Sequence, residues 1–434
     1  MRIEKTFVFW AILTVLLGCS PGFAEEYKLD LSEIDKKPYY IGGYLEFRPD
    51  LLVLDKDAAL YKLRFYRQPQ GNTLKEYNGK LQLDGSYEKG IARAFARISA
   101  DLSYTYLGWH YKTTVYEGYL SLKPSPSFTI DAGKKTMKWG KGYAWDPVAF
   151  VDRPKDPLDP DLAREGYVVA TGDYIKSFTG ALKTVSLTPV LLPVYNNVNE
   201  DFGKIDHLNV AGKLYFLFYD TDIDFLFLTG QSKTNRFGFD FSRNITTNLE
   251  VHGEFAFIAN QKKTVIGSAG KVTTSESDVV SYLLGIRYLS TQDTTFILEY
   301  YRNGTGYSRS ELEDYFSLIN NGYDLYLKKG DNSSLKKAAS VSQGAYATPN
   351  PAKDYLYLLV SQKEPFNILY FTPSINLIMN ISDKSFTLQP ELLYTGFTNF
   401  EIRLRALGLF GMKNTDFGEK QNDYKFELRV RYYF

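Results

Sequence analysis

The sequence predicts an all-β protein, a transmembrane antiparallel up-and-down β-barrel of about 18 strands, with 16 strands as the nearest alternative. Alternating segments of roughly ten residues recur along the chain, which is the length a tilted strand needs to cross a bilayer. The chain has 35 Tyr and 30 Phe, yet its mean hydropathy is only −0.28. High aromatic content with modest hydropathy is typical of a barrel in which every second residue faces water.

The first 24 residues have the pattern of a secretory signal peptide. Basic residues precede the apolar run 7–18, and residues 22–24 (GFA) form a small-x-small cleavage site. A competing interpretation is a bacterial lipobox at 16–19 (LLGC), which would make Cys19 a lipidated N-terminus. Either way Cys19 is the only cysteine, so the sequence predicts a mature chain without a disulfide.

The mature chain is predicted as a periplasmic lead, 25–38, followed by the barrel, 39–434. Short turns alternate in order with longer links, which is the asymmetry of periplasmic turns and extracellular loops. Link 304–352 is rich in Ser, Asn, Gly and Lys and predicts a mobile surface loop. The predicted long links are 54–74, 139–165, 192–206, 260–279, 304–352 and 412–422.

The last eleven residues, YKFELRVRYYF, alternate between an apolar face and a polar face. An apolar aromatic face on a terminal strand predicts contact with lipid and closure against the first strand. This strand resembles the C-terminal signal by which bacterial outer-membrane barrels are recognised for assembly. The resemblance implies an outer-membrane location, contact with the barrel assembly machinery, and Tyr432 and Phe434 as the assembly signal.

Segment 139–165 is predicted as a stiff, folded third extracellular loop, because tryptophans and prolines crowd into it. Its WG…DP…DP…DP run is similar to segments of proteobacterial porin-like barrels. In general porins the third loop folds inward and narrows the channel, so the resemblance implies a constriction. A surface cap or structural latch is the alternative. The candidate constriction residues are Lys138, Trp139, Lys141, Asp146, Asp152, Arg153 and Asp156.

The alternation also predicts which charges line the lumen. We expect opposed walls that set a transverse field across the pore. The alternative is lateral pairing of Arg with Glu, for example Glu401 with Arg429. The predicted basic wall is Arg93, Arg97, Arg403, Arg405, Arg429 and Arg431, and the predicted acidic wall is Asp131, Glu250, Glu254 and Glu299.

The sequence contains little that indicates an enzyme, and we expect neither catalysis nor a cofactor. His252 lies between Glu250 and Glu254 in an E-x-H-x-E ladder, but same-face neighbours on a strand lie about 6.5–7 Å apart. A hydrated lumen patch is therefore favoured over a metal site. The 51 basic and 50 acidic residues produce no overall field that would favour nucleic acid.

The predicted function is a porin-like channel for small polar or charged solutes. The alternative is a barrel sheath that houses a separate periplasmic partner, such as a multihaem cytochrome for electron export. A homotrimer and a monomer are both compatible with the sequence.

Overall fold

The computed structural model describes residues 37–342, 346 and 348–434. The predicted signal peptide, the possible lipidation of Cys19 and nearly all of the predicted lead 25–38 lie outside the described residues.

Eighteen antiparallel strands form one closed barrel. Each strand pairs with the next along the chain, and β1 also pairs with β18. The prediction of an 18-stranded up-and-down barrel is confirmed. The strands are β1 Tyr39–Leu54, β2 Thr73–Lys89, β3 Ala92–Thr105, β4 Gly108–Ser125, β5 Phe128–Lys135, β6 Tyr167–Ser177, β7 Leu182–Val194, β8 His207–Phe218, β9 Thr221–Thr229, β10 Arg236–Thr246, β11 Leu249–Ile266, β12 Val272–Leu289, β13 Thr294–Arg302, β14 Asp354–Gln362, β15 Phe371–Asn380, β16 Phe386–Tyr394, β17 Phe400–Phe410 and β18 Asn422–Tyr433.

The closing strand has the two-faced character predicted for it. In β18, Phe426 is 48% exposed on the outer face, whereas the side chain of Arg429 is buried inside. The chain end is held to β1 by two backbone hydrogen bonds of 3.2 Å between Gly43 and Phe434, one in each direction. Because register fixes which residues point inward, this pairing sets the inner face of both strands.

The prediction of a long link at residues 260–279 is wrong. Strands β11 and β12 continue to Ile266 and from Val272, which leaves a connection of residues 267–271. Cross-strand pairs such as Thr264 with Thr274 extend the ladder. Polar Thr, Ser and Lys residues fill this end of the hairpin, and β-branched threonine suits a strand even where no lipid covers it.

The predicted mobile surface loop 304–352 contains two helices, α2 (Arg309–Lys329) and α3 (Ser333–Ser342). Ser308 and Glu311 form a capping box at the start of α2, which satisfies two N–H groups at the helix end. Composition alone missed these helices, because the Ser, Asn and Lys residues that suggest a mobile loop lie largely on exposed faces.

A buried apolar stripe joins these helices to the barrel. Leu312, Tyr315 and Ile319 of α2 pack in one cluster with Leu335 of α3. Ala59 of a short helix in the first loop, α1 (Ala59–Phe65), belongs to the same cluster. No helix in the described part of the chain is both long and apolar enough to cross a membrane.

Candidate functional site

The segment between β5 and β6, residues 136–166 and here called loop 3, enters the barrel interior. Its first anchor is Glu254 of β11, whose carboxylate accepts backbone N–H groups from Lys141, Gly142 and Val148 at 2.5, 2.7 and 3.2 Å. Glu254 is buried. A buried carboxylate that accepts several backbone donors is stabilised by charge-assisted hydrogen bonds, so this residue holds the loop rather than lining open water.

A second anchor lies two strands away on β13. Glu299 accepts the N–H groups of Tyr143 and Ala144 at 2.5 and 2.9 Å. His252 contacts the same carboxylate at 2.9 Å from Nε2 and lies 3.6 Å from Glu250 through Nδ1. His252 is only 1% exposed, so the predicted hydrated patch at this position is wrong. The histidine supports the carboxylate that holds loop 3.

The ammonium group of Lys141 makes a third contact with the wall. Its Nζ lies 2.9 Å from Asp224 of β9 and 3.9 Å from Asp240 of β10. Neither aspartate is among the lumen residues predicted from the sequence. Asp224 lies between the outward residues Ile223 and Phe225, and Asp240 lies between Phe239 and Phe241. This alternation is the sequence signal that indicates their inward position.

The other limb of loop 3 reaches the strands that close the barrel. Asp159 accepts hydrogen bonds from Arg405 at 2.9 and 3.1 Å and from Arg429 at 2.8 Å. Carbonyl groups of Pro157 and Leu158 accept from the amide side chains of β15 and β16. Although burial raises the pKa of Asp159, hydrogen bonds and attraction from the two arginines outweigh burial and hold it well below its usual range. Loop 3 therefore spans the lumen from β9–β13 to β15–β18.

Ion pairs inside loop 3 fix its shape. Asp146 lies 2.8 Å from Lys155 and 3.5 Å from Arg164. Burial raises the pKa of Asp146 to about 6, and the two cations oppose that rise. Asp152 accepts the backbone N–H groups of Met137 and Trp139 at 2.8 and 2.9 Å.

Both tryptophans of loop 3 are buried, while the stiffness of the loop stays a prediction. Trp139 packs in a cluster with Val148 and Phe150. Trp145 stacks on Tyr301 of β13, with ring centroids 5.0 Å apart and ring planes at 21°. Such an offset stack adds to the large apolar area that a tryptophan buries.

The predicted basic residues are paired laterally, except Arg93. Arg97 lies 2.8 Å from Asp84 and 3.5 Å from Glu117. Glu401 lies within 3.5 Å of Arg403 and Arg431, and not beside Arg429 as the lateral alternative suggested. Each remaining arginine of the set also has a carboxylate in contact. Arg93 is exposed, and within the described residues it forms no ion pair.

The predicted acidic wall is not one surface. Asp131 lies on β5, two strands from Arg93 and Arg97 rather than across the barrel, and it pairs with Lys135 of its own strand. The alternation predicted that Asp131 points inward, but the chain order of an up-and-down barrel places β5 only two strands from β3, so its assignment to the opposite wall is wrong. Glu250 pairs with Arg287 at 3.7 Å, while Glu254 and Glu299 are loop anchors.

A cavity of about 400 Å³ lies between residues 153–165 of loop 3 and the inner wall of β3 and β4. Of the candidate constriction residues, Arg153 and Asp156 line this cavity. Lys138 is exposed, whereas Trp139, Lys141, Asp146 and Asp152 hold the loop together or to the wall. The cavity is lined by Asp101, Lys112, Thr114, Tyr116, Arg153, Pro154, Asp156, Leu162, Ala163, Arg164 and Glu165.

No protein-family model matches the sequence, and neither does any curated protein. Solved structures do match. OccK11 (OpdR) of Pseudomonas aeruginosa is 11% identical, covers 91% of this chain and 96% of its own, and has a TM-score of 0.50. OccK5 (OpdH) of the same organism is 12% identical, with 91% and 98% covered and a TM-score of 0.50. OccAB1 of Acinetobacter baumannii is 10% identical, with 91% and 96% covered and a TM-score of 0.48. The chain has the fold of the bacterial outer-membrane porins, a closed antiparallel barrel that here has 18 strands.

Proposed function

We propose that this protein is a channel of the bacterial outer membrane that passes small polar or charged solutes through a water-filled lumen. The observation that carries the proposal is the path of loop 3, which crosses an 18-stranded barrel and leaves a cavity beside β3 and β4. Barrels of 16–18 strands enclose an aqueous channel unless something fills it. Loop 3 is the constriction in this proposal.

The outer surface supports a membrane location. Large apolar and aromatic side chains lie exposed on it, including Trp109, Tyr111, Leu120 and Phe227. Aromatic residues at the borders of an apolar band are typical of transmembrane barrels. Phe434 is exposed at the chain end, where the assembly machinery could reach the predicted signal of Tyr432 and Phe434.

The walls of the proposed passage carry both signs of charge. Lys112 and Arg164 line the cavity together with Asp156 and Glu165, so the proposed solutes are polar or charged molecules of either sign. The sheath alternative is not supported, because loop 3 already occupies the interior from β9 to β18. A homotrimer or a periplasmic partner protein stays a prediction, which light scattering of the purified protein in detergent tests.

Planar-bilayer recording with thiol modification tests the proposal. In a Cys19→Ser background, Ala163→Cys places a thiol in the cavity lining, and Ala132→Cys places one on the exposed outer face. We expect the purified protein to give discrete conductance steps. A charged methanethiosulfonate reagent should lower the step size of Ala163→Cys and leave Ala132→Cys unchanged. Inserted protein without steps would refute the channel, and equal effects on both variants would refute this passage.

A further inference from the structure

Two cations where β9 connects to β10 form no ion pair with any described residue. Lys233 lies in the connection 230–235, and Arg236 is the first residue of β10. Among the described residues, no carboxylate lies within ion-pair distance of either side chain. Arg405 provides the contrast, since it contacts the carboxylates of Asp159, Glu391 and Glu427.

Arg236 points into the barrel, although its surroundings there are apolar. The next residue, Phe237, is exposed on the outer face, and Arg236 is paired with Leu228 and Ile258, which are both buried. The Nε of Arg236 is buried without a hydrogen-bond partner, as is the Oγ1 of Thr234. Buried donors without acceptors cost free energy that a suitable acceptor would recover.

Lys233 is partly withdrawn from water. Its Nζ lies 3.8 Å from the ring centroid of Phe202. Burial and repulsion from Arg236 lower the pKa of Lys233 to about 7, with Asp201 opposing and Arg153 adding to that shift. Two desolvated cations that repel each other form an arrangement that a bound anion would stabilise.

The loop that carries these groups is held firmly. Ser232 donates its N–H to Oδ1 of Asn209 at 3.2 Å, and Nδ2 of Asn209 contacts Oγ of Ser232 at 2.9 Å. The carbonyl group of Ser232 accepts the N–H of Lys204 from the neighbouring connection. Because these contacts fix the backbone at Ser232, the chain that carries the donors needs little ordering when a ligand binds, which lowers the cost of binding.

We propose that Lys233, Thr234 and Arg236 form a binding site for a compact oxyanion, with phosphate as the ligand that fits the donors best. Within four consecutive positions these residues offer an ammonium, a hydroxyl and a guanidinium donor, and a tetrahedral phosphate has oxygens enough to accept from all three. A carboxylate shares this chemistry with fewer oxygens. The three residues are not among those that line the cavity of the proposed passage, so their ligand binding can be measured without conduction.

Calorimetric titration of the purified full-length protein in detergent tests this site, with inorganic phosphate and acetate as the two probes. We expect wild-type protein to bind phosphate, and Lys233→Met and Arg236→Gln each to weaken binding about tenfold or more, since each removes a charged donor. Methionine keeps an unbranched side chain of similar length beside Phe202 and removes the charge. Acetate binding that the same variants weaken would assign the oxyanion as a carboxylate.

Lys204→Met is the matched control, because Lys204 is an exposed lysine of the adjacent connection. It should bind phosphate as wild type does. Equal weakening in Lys204→Met would show a diffuse field and overturn the site, and so would the absence of phosphate binding by folded wild type at millimolar concentration. Circular dichroism checks folding, and Lys233→Met on the loop carries the test if Arg236→Gln does not fold. A protein that binds phosphate but does not conduct would refute the channel and leave the site standing.

Discussion

Asp159 of loop 3 lies 2.8 Å from Arg429 of the last strand, which links residues 270 positions apart in sequence. Arg429 belongs to the strand that closes the barrel against β1. The contact therefore joins the folded loop to the seam of the barrel. Arg405 shares the same carboxylate at 2.9 Å, so one aspartate bridges two neighbouring strands.

Replacing this aspartate should loosen loop 3 and weaken the seam. Asp159→Asn removes the negative charge between two buried guanidinium groups, which retain contact with Glu427. Breaking a buried ion pair typically costs about 3–5 kcal/mol, and we expect about 2 kcal/mol because those contacts remain. Thermal unfolding should shift to lower temperature, and single-channel current should become noisier. Asp161→Asn, at an exposed residue two positions on, is the control. Equal unfolding temperatures for the two variants would contradict this role.

The pKa of Asp159 determines the pH range over which its contact with Arg405 and Arg429 stabilises the protein. Because the folded-state pKa is depressed, the contact contributes stability above the unfolded value and loses it as pH falls through the folded value. The loop should therefore stay attached to β17 and β18 at pH 4. Channel noise that rises between pH 6 and pH 4 in wild type, to the level of Asp159→Asn, would contradict this expectation.

Of the two carboxylates that hold the first part of loop 3, Glu254 should be the stronger anchor and Glu299 the weaker one. Glu254→Ala leaves the N–H groups of Lys141, Gly142 and Val148 without an acceptor. An unsatisfied buried donor costs about 1–3 kcal/mol, so this part of loop 3 should detach and admit water. We expect trypsin to cut intact barrels within loop 3 and the mean conductance to rise. Glu276→Ala, at an exposed carboxylate of the β12 end, should leave both unchanged. A protease-resistant Glu254→Ala protein with wild-type conductance would rule out the anchor.

Trp145 of loop 3 should contribute strongly to the stability of the folded barrel. Trp145→Ala removes a buried ring that stacks on Tyr301 and contacts Tyr355, and large-to-small changes of this kind cost about 3–5 kcal/mol. The change should lower the unfolding temperature in detergent. Trp109→Ala, at an exposed ring on β4, is the matched control and should shift it little. A smaller shift for Trp145→Ala than for Trp109→Ala would contradict the packing role.

The fold could be predicted because strand alternation is a local signal. Each residue of β18 reports its own face, and residues such as Phe426 and Arg429 needed no partner to be placed. The helix α2 and the upper part of β11 were missed for the opposite reason. Their polar residues are typical of loops, and only packing against residues distant in sequence gives Leu312 and Ile266 a buried position.

The site could be predicted in part. Alternation placed Glu254 and Glu299 on the inner face, but it could not show that loop 3 would donate its backbone N–H groups to them. The Lys141–Asp224 and Asp159–Arg429 pairs cross long stretches of sequence, and the path of a loop inside a barrel depends on every wall residue it meets. Alternation alone therefore predicts a lumen field, whereas in the structure most of these charges form ion pairs or anchor loop 3.

Asp146 should make ion selectivity depend on pH near 6. Burial raises the pKa of Asp146 from 3.8 to about 6. The protonated carboxyl group therefore favours the folded state. Its contribution to the free energy of unfolding falls as pH rises from about 4 to about 6 and is constant above. Protonation frees Arg164, which lines the cavity, so the passage gains positive charge. In a potassium chloride gradient, the reversal potential should shift toward anion preference between pH 7.5 and pH 5. Asp146→Asn should show that preference already at pH 7.5 and lose the inflection near pH 6, whereas Asp161→Asn should titrate as wild type does. An inflection near pH 6 that persists in Asp146→Asn would assign the titration to another group.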